Sequence, residues 1–374
     1  MPQAAARPQP IGRVRTLAGA ILGGLCLAIL LGILAAGLWP FNPHPRNKVT
    51  WLSGENGIEF RVDGAIFSEK PLATPSSRET QVSFDLWVQP AIDDIAPIAS
   101  FDRRQPAEQF RVLQYGTALL LQQKKDEADV DVLEIEHSLK PGQSTFFTVT
   151  ADGHQTSVYV NGSLVTTSTH FILRPSDLSG RMVAGSQPFD YDSFVGQLRG
   201  FAIYRQALTA NQALTHYRSW IGGNVSAAVE ETVALYRFDE HHGNLVGNAV
   251  ASGPKLLIPE TFTILDKRFL EAPWSTPLNR EDYQDLAINI AGFMPLGFFF
   301  CAYLHTRKAS SRISPAWATV IFGATLSLMI EMLQFYLPTR DSSLTDFFSN
   351  TLGTVIGVIL CQLAVRLLPD SWRA

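Results

Sequence analysis

The stretch Leu17–Trp39, LAGAILGGLCLAILLGILAAGLW, runs 23 residues without a charged side chain. A helix crossing a hydrocarbon core of about 30 Å needs about 20 apolar residues, so this stretch is read as a membrane span. Three more apolar stretches follow near residues 286–304, 315–337 and 347–367. The chain is therefore expected to be an integral membrane protein with one long insert between its first two spans. A cleaved signal peptide is the alternative for the first stretch, and Leu34-Ala35-Ala36-Gly37 supplies small residues for it. Against that, the apolar run exceeds the 7–15 residues usual in a signal peptide, roughly speaking.

Whole-chain averages conceal this division. A mean hydropathy of +0.07 is what four apolar spans and an ordinary polar domain average to. The net charge of −4 over 374 residues and the lack of any basic block exclude a nucleic-acid partner from the expectation. Basic residues set the orientation. Arg7, Arg13 and Arg15 precede span one; Arg307, Lys308 and Arg312 fill the loop after span two; Arg366 and Arg373 end the chain. The loop after span three carries only Arg340. Positive-inside logic then puts both termini and the 305–314 loop in the cytoplasm, with residues 40–280 and the 338–346 loop outside. The resulting organisation is a cytoplasmic segment (1–16), span one (17–39), an extracytoplasmic domain (45–265), a tether (266–285), spans two to four (286–367) and a cytoplasmic tail (368–374). Pro254, Pro259, Pro273 and Pro277 mark 251–281 as an extended tether running down to the membrane. Cys26, Cys301 and Cys361 all lie in spans, so the outer domain holds together without disulfides and offers no cysteine metal motif.

Within the insert, Gln81–Val88 alternates: Val82, Phe84, Leu86 and Val88 point one way, Ser83, Asp85 and Trp87 the other, as in a half-buried strand. Asp152-Gly153 and Asn161-Gly162 separate short strand-like runs (145–151, 155–160, 163–166) and supply the positive φ that two-residue hairpins need. Strands at this spacing predict an antiparallel sandwich. Thr209 with Gln212 three positions on forms a capping box, opening a helix with Leu208, Ala213, Leu214 and Tyr217 on its buried face. Thr232–Phe238 reads as a further strand.

SFDLWVQP (83–90), FFTVTADGHQTSVYVNGSLV (146–165), VGQLRGFAIYRQALTANQ (195–212) and ALYRFDEHHGN (234–244) resemble the laminin-G-like, concanavalin A-type jelly-roll family. The resemblance implies a module that binds glycans or glycosylated proteins, in some members with calcium. Trp87 and Tyr159 are the candidate sugar-stacking rings, with sandwich cover as the alternative. Asp190 and Asp192 are the candidate calcium ligands, but no dense run of oxygen ligands accompanies them, so no cofactor is expected. His241-His242 reads as a polar turn. Paired carboxylates of the glycosidase kind are not found, so hydrolysis by this module is not expected.

The last three spans carry many polar residues. Asp285 and Asn289 are four apart, as are Asp346 and Asn350; Glu331 and Gln334 are three apart. Each pair shares a helical face. Glu331 lies about 9 Å below the outer end of its span at about 1.5 Å per residue, in one layer with Asn289, Asn350 and the neighbouring Arg340. Burying a carboxylate there costs a few kcal/mol or more unless it is paired, neutral or hydrated. These groups should therefore converge, as a structural clasp or as a functional site. Gly353 and Gly357 admit a neighbouring helix closely, and Pro295, with Gly292 and Gly297 on either side, interrupts span two.

DLAINIAGFMPLGFFF (285–300) and SLMIEMLQFYLPTRDSSLTDFFSNTLGTVIG (327–357), with WPFNP at 39–43, resemble the VanZ-like membrane family. Its pattern maps onto Asn289, Pro295, Gly297, Glu331, Gln334, Arg340, Asp346, Asn350 and Gly353. The resemblance implies a bacterial cytoplasmic membrane protein connected with cell-wall chemistry and glycopeptide resistance, in contact with membrane lipid. The whole is expected to be multidomain: an antiparallel β jelly-roll sandwich inserted into a four-helix transmembrane bundle. Two functions follow as alternatives. In one, the jelly roll binds a surface glycan, peptidoglycan or glycoprotein. In the other, the bundle acts on a lipid-linked or anionic envelope precursor, with Glu331 as proton carrier or base and Arg340 gripping the head group.

Overall fold

The computed structural model describes residues 11–72, 79–102, 109–124, 130–186, 193–225, 231–270, 280–307 and 313–367. The chain divides into two compact units. One comprises residues 1–43 and 268–374, the other His44–Lys267.

Among its described residues the first unit contains four long apolar helices, α1 (Ile11–Leu38), α3 (Arg280–Thr306), α4 (Pro315–Phe335) and α5 (Leu344–Leu367). All four are long and apolar enough to span a membrane. Helix α3 begins at Arg280, so part of the expected tether is helical. Ser314 caps α4 through its side chain, which accepts from the Trp317 amide, and Pro315 occupies the first turn. Pro is tolerated there because that N–H has no helical partner.

The second unit is a two-sheet antiparallel sandwich with, among its described residues, one α-helix, α2 (Ala210–Ile221), and a short 3-10 turn at Pro175–Leu178. In chain order its strands are β1 (Val49–Trp51), β2 (Ile58–Phe60), β3 (Ile66–Ser68), β4 (Val82–Pro90), β5 (Asp94–Asp102), β6 (Gln109–Gly116), β7 (Ala118–Lys124) and β8 (Val130–Ile135). Then come β9 (Thr145–Ala151), β10 (Thr156–Val160), β11 (Ser163–Ser168), β12 (Arg181–Ala184), β13 (Gly196–Tyr204), β14 (Thr232–Tyr236), β15 (Leu245–Val246) and β16 (Leu256–Leu257). One sheet runs β1-β2-β13-β4-β9-β10-β11, with β14 also paired to β13; the other runs β15-β16-β3-β12-β5-β6-β7-β8. Long-range pairings such as β13 with β4 and β12 with β5 give the sandwich its jelly-roll character.

Both expected hairpins form. Gly153 has φ +93°, and Asn161 and Gly162 have φ +49° and +79°, the left-handed geometry of a two-residue turn. The Asp152 carboxylate accepts from the His154 and Gln155 amides, and those donors hold its carboxyl below the usual carboxylate range.

The inner faces meet through phenylalanines. Phe84 and Phe201 on one sheet lie 6.1 and 6.0 Å, centroid to centroid, from Phe110 and Phe101 on the other. Tilted or edge-on pairs of this kind add about 0.5–1.5 kcal/mol beyond area burial.

The outer face of β4 departs from the half-buried reading. Ser83 and Asp85 are fully buried, because α2 covers that face. Leu208, Ala213 and Trp220 pack there with Phe146, Ala202, Tyr204 and Leu235. The capping box at Thr209 and Gln212 is present, and the buried face of α2 includes Trp220 and His216 besides the residues expected. Asp85 is the polar centre beneath the helix. Thr148 Oγ1 donates to its Oδ1 at 2.7 Å, Tyr204 Oη donates to its Oδ2 at 2.9 Å, and His216 Nδ1 lies 2.8 Å from the same Oδ2. Burial first, and then the Asp85 carboxyl, push the Tyr204 hydroxyl well above its ordinary range, so Tyr204 remains a donor.

The extended segment 251–281 is corrected in its first half. Residues 256–257 form β16, Thr261 bridges Arg46, and Phe262 and Ile264 are buried against Ala65. This part closes the sandwich.

Breaking a buried charged network by removing one partner costs roughly 3–5 kcal/mol. Asp85→Ala is therefore expected to lower the unfolding free energy of the 44–267 module by about 3 kcal/mol, read by denaturant titration. Asp152→Ala, at an exposed turn, should change it by well under about 1 kcal/mol.

Candidate functional site

In the membrane unit, glycines set how closely the helices approach. A Cβ added to Gly353 would lie 2.3 Å from the Ile290 carbonyl oxygen, and one on Gly357 would lie 2.1 Å from that of Met294. From the other side, a Cβ on Gly297 would lie 2.2 Å from the Thr354 carbonyl oxygen. Helices α3 and α5 thus meet backbone to backbone, the small-residue packing that membrane interiors favour. Gly323 of α4 meets the Thr354 side chain in the same way. The expected interruption of span two does not occur: Pro295 lies within the continuous helix α3.

This close approach gathers the polar side chains. Asn289 Nδ2 donates to Asp346 Oδ1 at 2.9 Å, joining α3 to the first turn of α5. Asn350 Nδ2 donates to Ser327 Oγ at 3.0 Å, joining α5 to α4. Glu331 is 1% exposed, and its Oε2 accepts from the Ser343 amide at 2.8 Å. Ser343 immediately precedes α5, so the carboxylate occupies the helix N-terminus, where unsatisfied amides and the helix dipole favour negative charge.

At the C-terminal end of α1 the logic reverses. Gln334 Nε2 donates to the Gly37 carbonyl at 2.8 Å. Arg340 Nε donates to the Trp39 carbonyl at 2.8 Å, and its Nη2 reaches the Trp39 and Ala36 carbonyls. A cation on the orphan carbonyls of a helix end is favourable.

All seven polar residues singled out in the sequence, Asp285, Asn289, Glu331, Gln334, Arg340, Asp346 and Asn350, line one cavity of about 300 Å³. Gly292 and apolar residues of α1, α3 and α4 complete its wall. A Cβ on Gly292 would meet nothing within 4 Å, so this glycine leaves the cavity open. Ser327, Ser343 and Gly292 support the site without having been singled out for it. Ser327 contributes its hydroxyl to Asn350, Ser343 its backbone amide to Glu331, and Gly292 open space.

In the sandwich, Tyr159 is 8% exposed and pairs across the sheet with Thr148 on the helix-covered face. Trp87 is partly buried at the edge of the Phe146–Trp220 cluster, with the Arg199 guanidinium 5.7 Å above its ring centroid. Both rings thus lie on the helix-covered side of the sheet. Asp190 and Asp192 lie outside the described residues. His241 and His242 are exposed in a turn, with His241 at φ +59°.

Residues 236–365 match the VanZ/LLP1 family, and residues 63–213 match the concanavalin A-like lectin/glucanases superfamily. The chain thus carries a VanZ-like membrane region and an inserted laminin-G-like sandwich. No curated protein matches it. Among solved structures it is similar to a CBM40 module of the Ruminococcus gnavus IT-sialidase bound to alpha2,3 sialyllactose. That similarity has 13% identity and TM-score 0.34 over 44% of this chain and 97% of that one. It is also similar to the receptor binding domain of botulinum neurotoxin D, at 12% identity and TM-score 0.35 over 46% of each chain, so it spans under half of that domain's length.

Overpacking a tight contact costs about 1–3 kcal/mol. Gly357→Ala is expected to lower the melting temperature of the detergent-solubilised protein by several degrees, and Gly357→Leu to prevent its purification in folded form. Gly292→Ala, facing open space, should leave the melting temperature unchanged.

Proposed function

We propose that this chain, which joins a VanZ-like membrane bundle to a concanavalin A-like module, is a cell-envelope protein whose bundle cavity binds the polar head of an envelope molecule. The observation that carries this reading is the convergence of seven polar side chains from three helices and a loop on one cavity. A clasp needs only enough partners to satisfy its own members, and interhelical hydrogen bonds contribute only about 0.6 kcal/mol each on average. Three carboxylates around open space exceed that requirement. A volume of about 300 Å³ is that of a small ligand site.

In this reading the protein is a multi-pass component of the bacterial cytoplasmic membrane. Its termini are cytoplasmic, the cavity lies in the outer leaflet, and the sandwich is extracytoplasmic. The basic residues around Arg13, Arg307 and Arg366 support that orientation. The sandwich contributes recognition of a surface glycan, peptidoglycan or glycoprotein, a role supported by its family match. Glu331, buried beside the cavity, is the group placed to carry or accept a proton.

Two experiments separate these parts. In a deletion strain, Glu331→Gln and Asp346→Asn should each fail to restore the lost phenotype while the protein accumulates normally in the membrane. Full rescue by both would refute a functional cavity. The purified 44–267 module should bind at least one member of a broad envelope-glycan panel, and a folded module that binds none would remove the lectin role.

A further inference from the structure

We infer that the bundle cavity selects a ligand carrying an organic ammonium group. This inference rests on the cavity being a binding site, as proposed above, and adds the ligand's chemical class. Asp285, Glu331 and Asp346 face the cavity, against the single guanidinium of Arg340. That guanidinium donates to carbonyls at the end of α1, so part of its donor set is spent on holding that helix. A cavity walled by carboxyl groups in a low-dielectric layer favours an entering cation that can donate to their oxygens, because opposite charges attract more strongly there than in water. An anionic head group would bring acceptors to a wall already rich in carboxyl oxygens.

Spare acceptor atoms point the same way. Asp346 receives Asn289 on Oδ1, and Glu331 receives Ser343 on Oε2. Asp346 keeps a second oxygen with further lone pairs, whereas Glu331 also has the Ser342 hydroxyl beside it. Asn350 is 4% exposed and lines the cavity, and its Oδ1 has no hydrogen-bond partner among the described residues. An orphaned buried acceptor beside open space calls for a donor. An ammonium brings three donors and no acceptor, which suits a wall rich in oxygen atoms.

The cation is organic, not a bare metal ion. Among the described residues no three His, Cys, Asp or Glu side chains come close enough together to hold one metal. The space of about 300 Å³ is roughly ten times the share of one water in the liquid. An ammonium on a short carbon stem fills such a volume and reaches separated carboxylates in turn. Its source is either an aminolipid head group or a free primary amine.

The test uses the full chain in detergent. Melting temperature is followed while titrating ethylammonium chloride, a short-chain phosphatidylethanolamine, or a short-chain phosphatidylglycerol, which keeps the phosphate and lacks the ammonium. The ethanolamine lipid is expected to raise the melting temperature saturably, with the glycerol lipid at least tenfold weaker. Asp346→Asn and Glu331→Gln should weaken the response at least tenfold, and Gly292→Leu, which fills the cavity from a position with open space, should abolish it. Asp285→Asn, at an exposed residue, serves if a buried variant fails to fold. Ethylammonium acting alone assigns a free amine, and action by the lipid alone assigns a head group; either upholds the inference. If the glycerol lipid binds as well or better and Gly292→Leu abolishes that binding, the cavity remains a site and the ammonium assignment falls. If Gly292→Leu alters no response, both fall.

Discussion

Glu331 is a nearly inaccessible carboxylate in a helix whose other faces meet hydrocarbon. Such a group is stable only where donors, water or a counter-charge reach it, and the bundle is organised around that demand. Ser343 supplies an amide because α5 begins there. Helix α5 can begin there because Gly353 and Gly357 let its backbone touch α3. That contact also brings Asn289 to Asp346 and Asn350 to Ser327. Substituting one of these glycines would push α5 outward and separate the donors from the carboxylates, so packing and polar chemistry depend on each other.

The sandwich solves a different problem. It has no disulfide to constrain it and relies on burying both faces of one sheet. Phenylalanines from both sheets fill the inner face. The outer face is closed by α2, and the cost of burying Asp85 there is offset by Thr148, Tyr204 and His216. The polar centre therefore also fixes where the helix sits, since a displaced α2 would leave a buried carboxylate short of a partner.

Much of this was legible in the sequence, for identifiable reasons. The spans follow from length and hydropathy, the hairpins from Asp152-Gly153 and Asn161-Gly162, and the start of α2 from Thr209 and Gln212. The polar spacings of four, three and four residues placed each pair on one helical face, and the short connections left little choice but convergence. What escaped depends on tertiary contact. Period-two alternation shows that Asp85 and Phe84 face opposite ways, but not that a helix 125 residues later will cover Asp85. Pro254 and Pro259 suggested free extended chain, although β16 lies between them and closes the sheet. Gly292 gave no local sign of its role, because it matters for the space it leaves.

The central claim is that the space beside Gly292 is a water-reachable, acidic site open to the outer side of the membrane. With Cys26, Cys301 and Cys361 replaced by Ala, Gly292→Cys supplies one thiol there. Its rate of modification in intact cells can be compared for membrane-impermeant thiosulfonates of opposite charge. Labelling from outside, faster with the cationic reagent, is predicted. A thiol that reacts only in inverted vesicles, or reacts faster with the anionic reagent, would contradict the account.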